Sequence, residues 1–131
     1  MNTPMSMAER YTQARGLFEH GEYQAAADSL RALVDESALE PPLHGTTELR
    51  ALLGRAYFHS AQLGRAETVL RTVLIEHPDD AYANLVLGRP LQRLGRAADA
   101  RPHLAMAELL GGYAGTGRLP ADTSDPTDSS A

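Results

Sequence analysis

The chain has 131 residues, 43% of them apolar, a net charge of −5, and neither cysteine nor lysine. These values fit one small folded domain and exclude disulfides, thiol nucleophiles, cysteine zinc sites, lysine Schiff bases and a phosphate-loop lysine. The negative balance opposes general binding to nucleic acid or an anionic membrane, because neutralising phosphates needs a cationic surface, and no apolar stretch is long enough to span a bilayer.

The opening MNTPMSMAERY lacks the basic start and apolar run of a secretory signal, so a cytoplasmic location is expected, with residues 1–6 as a flexible N-terminus. Helical periodicity then predicts elements at about 6–19 and 23–36. A loop follows in ESALEPPLHGTT, marked by Pro41, Pro42 and Gly45. Helices are predicted next at about 46–60 and 64–77. Leu49, Leu53, Ala56 and Tyr57 form one apolar stripe in the first of these, and Val69, Leu70, Val73 and Leu74 do so in the second. Pro78 halts that helix, and Asp79 or Asp80 can cap the next by accepting from its free amides. The last two helices are predicted at about 80–93 and 96–110. Pro90 lies inside the former, where it removes the bond to the Val86 carbonyl and crowds that turn at about 3 kcal/mol. A kink, or an end near Arg89, is expected there. From Tyr113 onward, a composition of Gly, Pro, Ser, Thr and Asp leaves little to bury and predicts a disordered acidic tail over 113–131.

Leu-Gly-Arg occurs around Gly54, Gly64, Gly88 and Gly95. Leu53, Gly54, Arg55, Ala66 and Leu70 recur 34 residues later as Leu87, Gly88, Arg89, Ala100 and Leu104, so the first and third copies are equivalent. Gly64 and Gly95 are 31 apart, out of step, and are expected near the turns between helices, where glycine punctuates. A fainter unit, with Ala14, Arg15, Leu17, Gly21, Tyr23, Ala26 and Leu30, precedes the others at an offset of 40.

A 34-residue period with these letters resembles the tetratricopeptide repeat. That family places a bulky residue, a small one and then an aromatic or leucine in its first helix, a small and a bulky residue in its second, and a proline after it. Leu53, Gly54, Tyr57, Ala66, Leu70, Val73 and Pro78 fill those slots. The first unit departs from the pattern at Gln13 and Ala38, and the third has Gly112 in place of the proline. The resemblance covers roughly residues 7–112. It implies an all-α, right-handed α-solenoid of three antiparallel helix pairs, with units at about 7–40, 47–80 and 81–112. Gly54 and Gly88 let paired helices approach closely, with Ala66 and Ala100 expected opposite them.

Signals for catalysis are absent from the sequence. No two of His20, His44, His59, His77 and His103 have the spacing that sets two ligands on one helix face, and no Gly-x-Ser-x-Gly occurs. Gly115-Thr116-Gly117 lacks the strand and helix of a phosphate loop. The carboxylate pairs Asp35-Glu36 and Asp79-Asp80 fall at helix ends, where capping accounts for them. No enzyme activity, metal or cofactor is expected.

Arg55 lies two residues from both Leu53 and Tyr57, about 200° round a helix from each, and so faces away from its own core. Arg15 and Arg89 occupy the same slot. In tetratricopeptide proteins the first helices line a concave groove that this slot faces. The resemblance therefore implies a peptide-binding groove at Tyr11, Arg15, Phe18, Arg55, Phe58, His59, Tyr82, Arg89 and Arg93, with Arg15 also one turn from Glu19. The implied function is a protein–protein interaction module or adaptor that takes an acidic or carboxylate-bearing segment, since arginine holds carboxylates in a bidentate fork. A structural homo-oligomerising subunit is the alternative. Leu104, Leu109 and Leu110 mark the last helix, no polar capping helix follows Gly111-Gly112, and a homodimer through the C-terminal repeat would cover them.

Overall fold

A computed structural model describes residues 4–37 and 46–112, which form six helices: α1 (Met7–Glu19), α2 (Tyr23–Ser37), α3 (Thr46–His59), α4 (Leu63–Glu76), α5 (Ala81–Arg93) and α6 (Ala97–Gly111). The loop read around Pro41 and the acidic tail lie outside the described residues. Successive helices pack on one another, α1 with α2, α3 with α4 and α5 with α6, and each pair stacks on the next, giving an all-α solenoid of three helix pairs.

Local signals set the helix ends. Ser6 caps α1 in a capping box, its hydroxyl accepting from the Glu9 amide at 3.1 Å while its own amide donates to the Glu9 carboxylate at 3.0 Å. Asp80 caps α5 by accepting from the Ala83 amide at 2.9 Å. Within each pair the turn is the same motif. Glu22, Gln62 and Arg96 donate to the carbonyls of Leu17, Tyr57 and Leu91, and the preceding residue, Gly21, Ala61 or Gly95, adopts φ of 80°, 62° or 78°. These positions are 40 and 34 residues apart, the offsets of the sequence repeat. Gly95 is thus a turn residue, as expected, whereas Gly64 lies inside the first turn of α4, three residues past the left-handed position that Ala61 fills.

Antiparallel pairing places the start of each first helix beside the end of its partner. Arg10 pairs with Glu36 at 2.7 Å and Arg50 with Glu76 at 2.5 Å, the same slots in the first two repeats. The third repeat puts Asn84 in that slot instead. Its buried amide donates to the Pro78 and Asp80 carbonyls at 3.2 and 2.9 Å, and its oxygen lies 2.9 Å from His103 Nδ1. The carboxylates Asp35 and Glu36 sit in the last turn of α2, where free carbonyls rather than amides are presented, so they do not cap. Asp35 pairs instead with Arg31 at 3.6 Å, and Glu36 with Arg10.

The core runs along all three pairs. Leu30, Leu33, Leu53, Leu70, Leu85, Leu87 and Leu91 are fully buried, each contributing about 1.5–3 kcal/mol of transfer free energy. Gly54 and Gly88 do mark close approaches; Ala100 stands opposite Gly88, its carbonyl 3.7 Å from where a Cβ would be, but leucine side chains come nearest at both positions. A Cβ on Gly54 would lie 2.7 Å from Leu70 Cγ, and one on Gly88 would lie 2.5 Å from Leu104 Cδ2. An alanine methyl is too short to cross between the axes, while a leucine one turn later leans back toward its helix N-terminus and reaches. Pro90 does not stop α5 at Arg89. The helix continues to Arg93, Pro90 is fully buried, and its carbonyl accepts from the Leu94 amide at 2.9 Å. With the helix ending three residues later, one bond is lost and the ring fills core volume.

Candidate functional site

The first helices α1, α3 and α5 lie side by side on one face, with α3 in the middle. Neighbours on both sides bury α3 from Leu53 to Phe58 without a break, including Arg55. This crowding divides the predicted arginine row into unlike members. Arg15, at the edge, is 57% exposed and 3.8 Å from Glu19, an exposed pair of little energetic weight. Arg55 faces away from its own repeat core, as the wheel predicts, yet only 6% of it is exposed, because rings from both neighbouring repeats close over it. Its guanidinium sits 4.8 Å above the Phe18 ring and 6.0 Å from the Tyr82 ring. Arg89 is half-buried and Arg93 exposed, and both lie over Phe58, at 5.9 and 5.3 Å. The Nε of Arg89 is buried with no hydrogen-bond partner among the described residues.

Two regions result. Towards the C-terminal ends of the first helices, Phe18, Tyr23, Phe58 and His59 form an aromatic cluster. Tyr23 stacks on His59 with centroids 4.6 Å apart, and Phe18 meets both edge-on at 5.1 and 5.7 Å. Phe58 contacts His59 at 5.3 Å and carries the Arg89 and Arg93 guanidiniums. Tyr23 is absent from the predicted site. It opens a second helix, whereas the predicted site is drawn from first-helix slots, so the slot rule passes over it, although its aromatic character was visible.

Towards the other end lies an open cleft of about 450 Å³, lined by Tyr11, Arg15, Thr47, Glu48, Ala51, Leu52, Asp80 and Tyr82. Charge here is mixed, since Asp80 already serves as a cap. Burial raises the Tyr11 phenol above its ordinary pKa, with Arg15 opposing and Glu48 reinforcing the shift. The Arg15 guanidinium is 5.9 Å from this ring. Of the nine groove residues read from the sequence, Phe18, Arg55, Phe58, His59, Arg89 and Arg93 are therefore brought together, with Tyr82 at the flank of Arg55. Tyr11 and Arg15 belong to the cleft. Among the described residues there is no group of three or more side chains able to hold a metal ion, and no helix long and apolar enough to cross a membrane.

The fold and the recurring turn define a helical-repeat protein. The family model for the tetratricopeptide repeat matches residues 17–89, more than half of the chain, and the chain belongs to that family. Such repeats generally mediate protein–protein interaction and are typically non-enzymatic. Neither the curated proteins nor the solved structures include a significant match to the chain.

Proposed function

We propose that the chain is an interaction module whose α1, α3 and α5 face binds an acidic, carboxylate-bearing segment of another protein. The observation that carries this reading is the placement of Arg89 and Arg93 over one ring, Phe58. Like charges one turn apart on a helix repel by a few tenths of a kcal/mol. A carboxylate held between them removes that cost and gains charge-assisted hydrogen bonds, while the neighbouring rings supply apolar area for a side chain of the segment. Arg55 supports the reading as a fixed cation that orients Phe18 and Tyr82 rather than as an open contact.

The test is a titration of a fluorescently labelled acidic model peptide, with its Asn/Gln-substituted copy as control. Arg93→Gln and Arg89→Gln are each expected to weaken binding by about 1 kcal/mol, and affinity falls as salt rises. Arg93→Lys restores part of the loss, because an ammonium keeps the charge without the planar fork. Arg65→Gln, on the turn side and bonded to Gln62, leaves affinity unchanged. Equal affinity for Arg93→Gln, Arg89→Gln and wild type contradicts the proposal.

A second reading, self-association through the C-terminal repeat, is favoured by the exposure of Leu109 (79%) and Leu110 (48%). Ile75, one repeat earlier in the Leu109 slot, is also open at 80%. Leu104 packs on Gly88 inside the repeat, which leaves Leu109 and Leu110 as the pair that a second copy would cover. Sedimentation of wild type and Leu109→Glu at micromolar concentration decides this. A dimer lost in the variant supports the reading, and a monomer in both opposes it.

A further inference from the structure

We infer that the chain's own acidic segment, residues 113–131, docks on the Phe58–Arg89–Arg93 end of the α1, α3 and α5 face and competes there with a partner. This rests on the proposed groove reading and adds a regulator to it. Three facts lead to it. The segment carries Asp122, Asp125 and Asp128 against one arginine, Arg118, and includes Leu119 and Pro120 as apolar residues, which is the composition the cationic, ring-lined end would take. Its point of departure is suitable. The Asn84 to His103 bond and the Gly88 to Leu104 contact fix α6 antiparallel to α5, so Gly112 leaves the fold beside the start of α5.

Reach is the third fact. From the start of α5 to Arg93 is about 20 Å along the helix axis. Ten residues of extended chain, from Gly112 to Asp122, span up to about 33 Å, so Asp122 and everything after it can arrive at Arg89 and Arg93. A tether this short holds the segment at about millimolar effective concentration. Weak intrinsic affinity then suffices for substantial occupancy, and an incoming acidic peptide must displace it.

A chain without cysteine allows a clean test. A spin label placed by Ser129→Cys on the full chain is expected to broaden the amide signals of Phe58, His59, Arg89 and Arg93 at low salt, and to lose that effect at about 0.5 M salt as the charges are screened. In parallel, Asp122→Asn/Asp125→Asn/Asp128→Asn on the full chain is expected to bind the labelled acidic model peptide several-fold and up to about tenfold more tightly than wild type. Broadening confined to residues adjoining Gly112, alike at both salt concentrations, overturns the inference. So does broadening seen only between labelled and unlabelled molecules in a mixed sample, which assigns the contact to a second copy. If the model peptide binds with equal affinity to wild type and the triple variant, the segment does not compete while the groove reading stands. If it binds neither, the groove reading itself has failed.

Discussion

Ala61 adopts φ of 62°, the left-handed conformation that its equivalents Gly21 and Gly95 reach without a Cβ penalty. Ala61→Gly is therefore expected to stabilise the fold by about 1 kcal/mol, and Gly21→Ala or Gly95→Ala to destabilise it by about as much. Urea midpoints of the three variants check this, and a destabilised Ala61→Gly would show that the added freedom of the unfolded chain outweighs the relief of strain. Gly54 and Gly16 make a complementary pair. A methyl on Gly54 meets the fully buried Leu70, and Gly54→Ala is expected to cost about 1–3 kcal/mol through overpacking, offset in part by better helix propensity. Gly16, also within a helix, has open space around the same position, so Gly16→Ala is expected to gain up to about 1 kcal/mol. Thermal melts showing the two substitutions shifting in the same direction would contradict the packing described.

At the scale of elements, α5 holds the least regular feature. Pro90→Ala restores an amide donor and removes ring crowding, worth about 3 kcal/mol in an ordinary helix, but vacates two buried methylenes at about 0.8 kcal/mol each plus a cavity. A net stabilisation of about 1 kcal/mol is expected, and a lower melting temperature would mean that the ring's packing dominates. Electrostatic ties between elements give the acid side of the stability profile two stages. Burial, with Arg71 adding to it and Asp99 opposing, holds the His103 imidazole below its ordinary pKa of 6.5. As pH falls below about 6.5 the unfolded chain takes up a proton the folded one refuses, and stability drops. The second stage comes from Glu36 and Glu67. Hydrogen bonds from Arg10 and from Arg96 respectively are the first cause of their depressed pKa values, so their contributions persist above the usual carboxylate range near 4.5 and disappear as pH falls below it. His103→Gln, which can still donate to Asn84, is expected to abolish the first stage and leave the second. Urea midpoints at neutral pH and about one unit below the ordinary histidine pKa distinguish the outcomes.

For the whole molecule, the helices and their pairing were legible because each apolar stripe keeps a strict helical period and the 34-residue offset returns the same letters. The chain's departures from that reading share a physical origin: they depend on what a neighbouring helix does. A wheel gives the direction of Arg55 from its own axis, but its burial follows from Phe18 and Tyr82 on adjacent repeats. The closest partners of Gly54 and Gly88 are the longer side chains one turn on from Ala66 and Ala100, a matter of reach between axes that letter matching does not contain. Tyr23 joins the aromatic cluster across the turn of its own repeat. What emerges is a three-repeat module with one face that gathers cations over rings, and the proposed function is that this face takes an acidic segment. Amide chemical-shift mapping during titration with the acidic model peptide tests that most directly. Shifts concentrated in α1, α3 and α5, largest around Phe58, Arg89 and Arg93 and diminished by salt, are the predicted result. Shifts concentrated in α2, α4 and α6, or the same response to the Asn/Gln-substituted peptide, would contradict it.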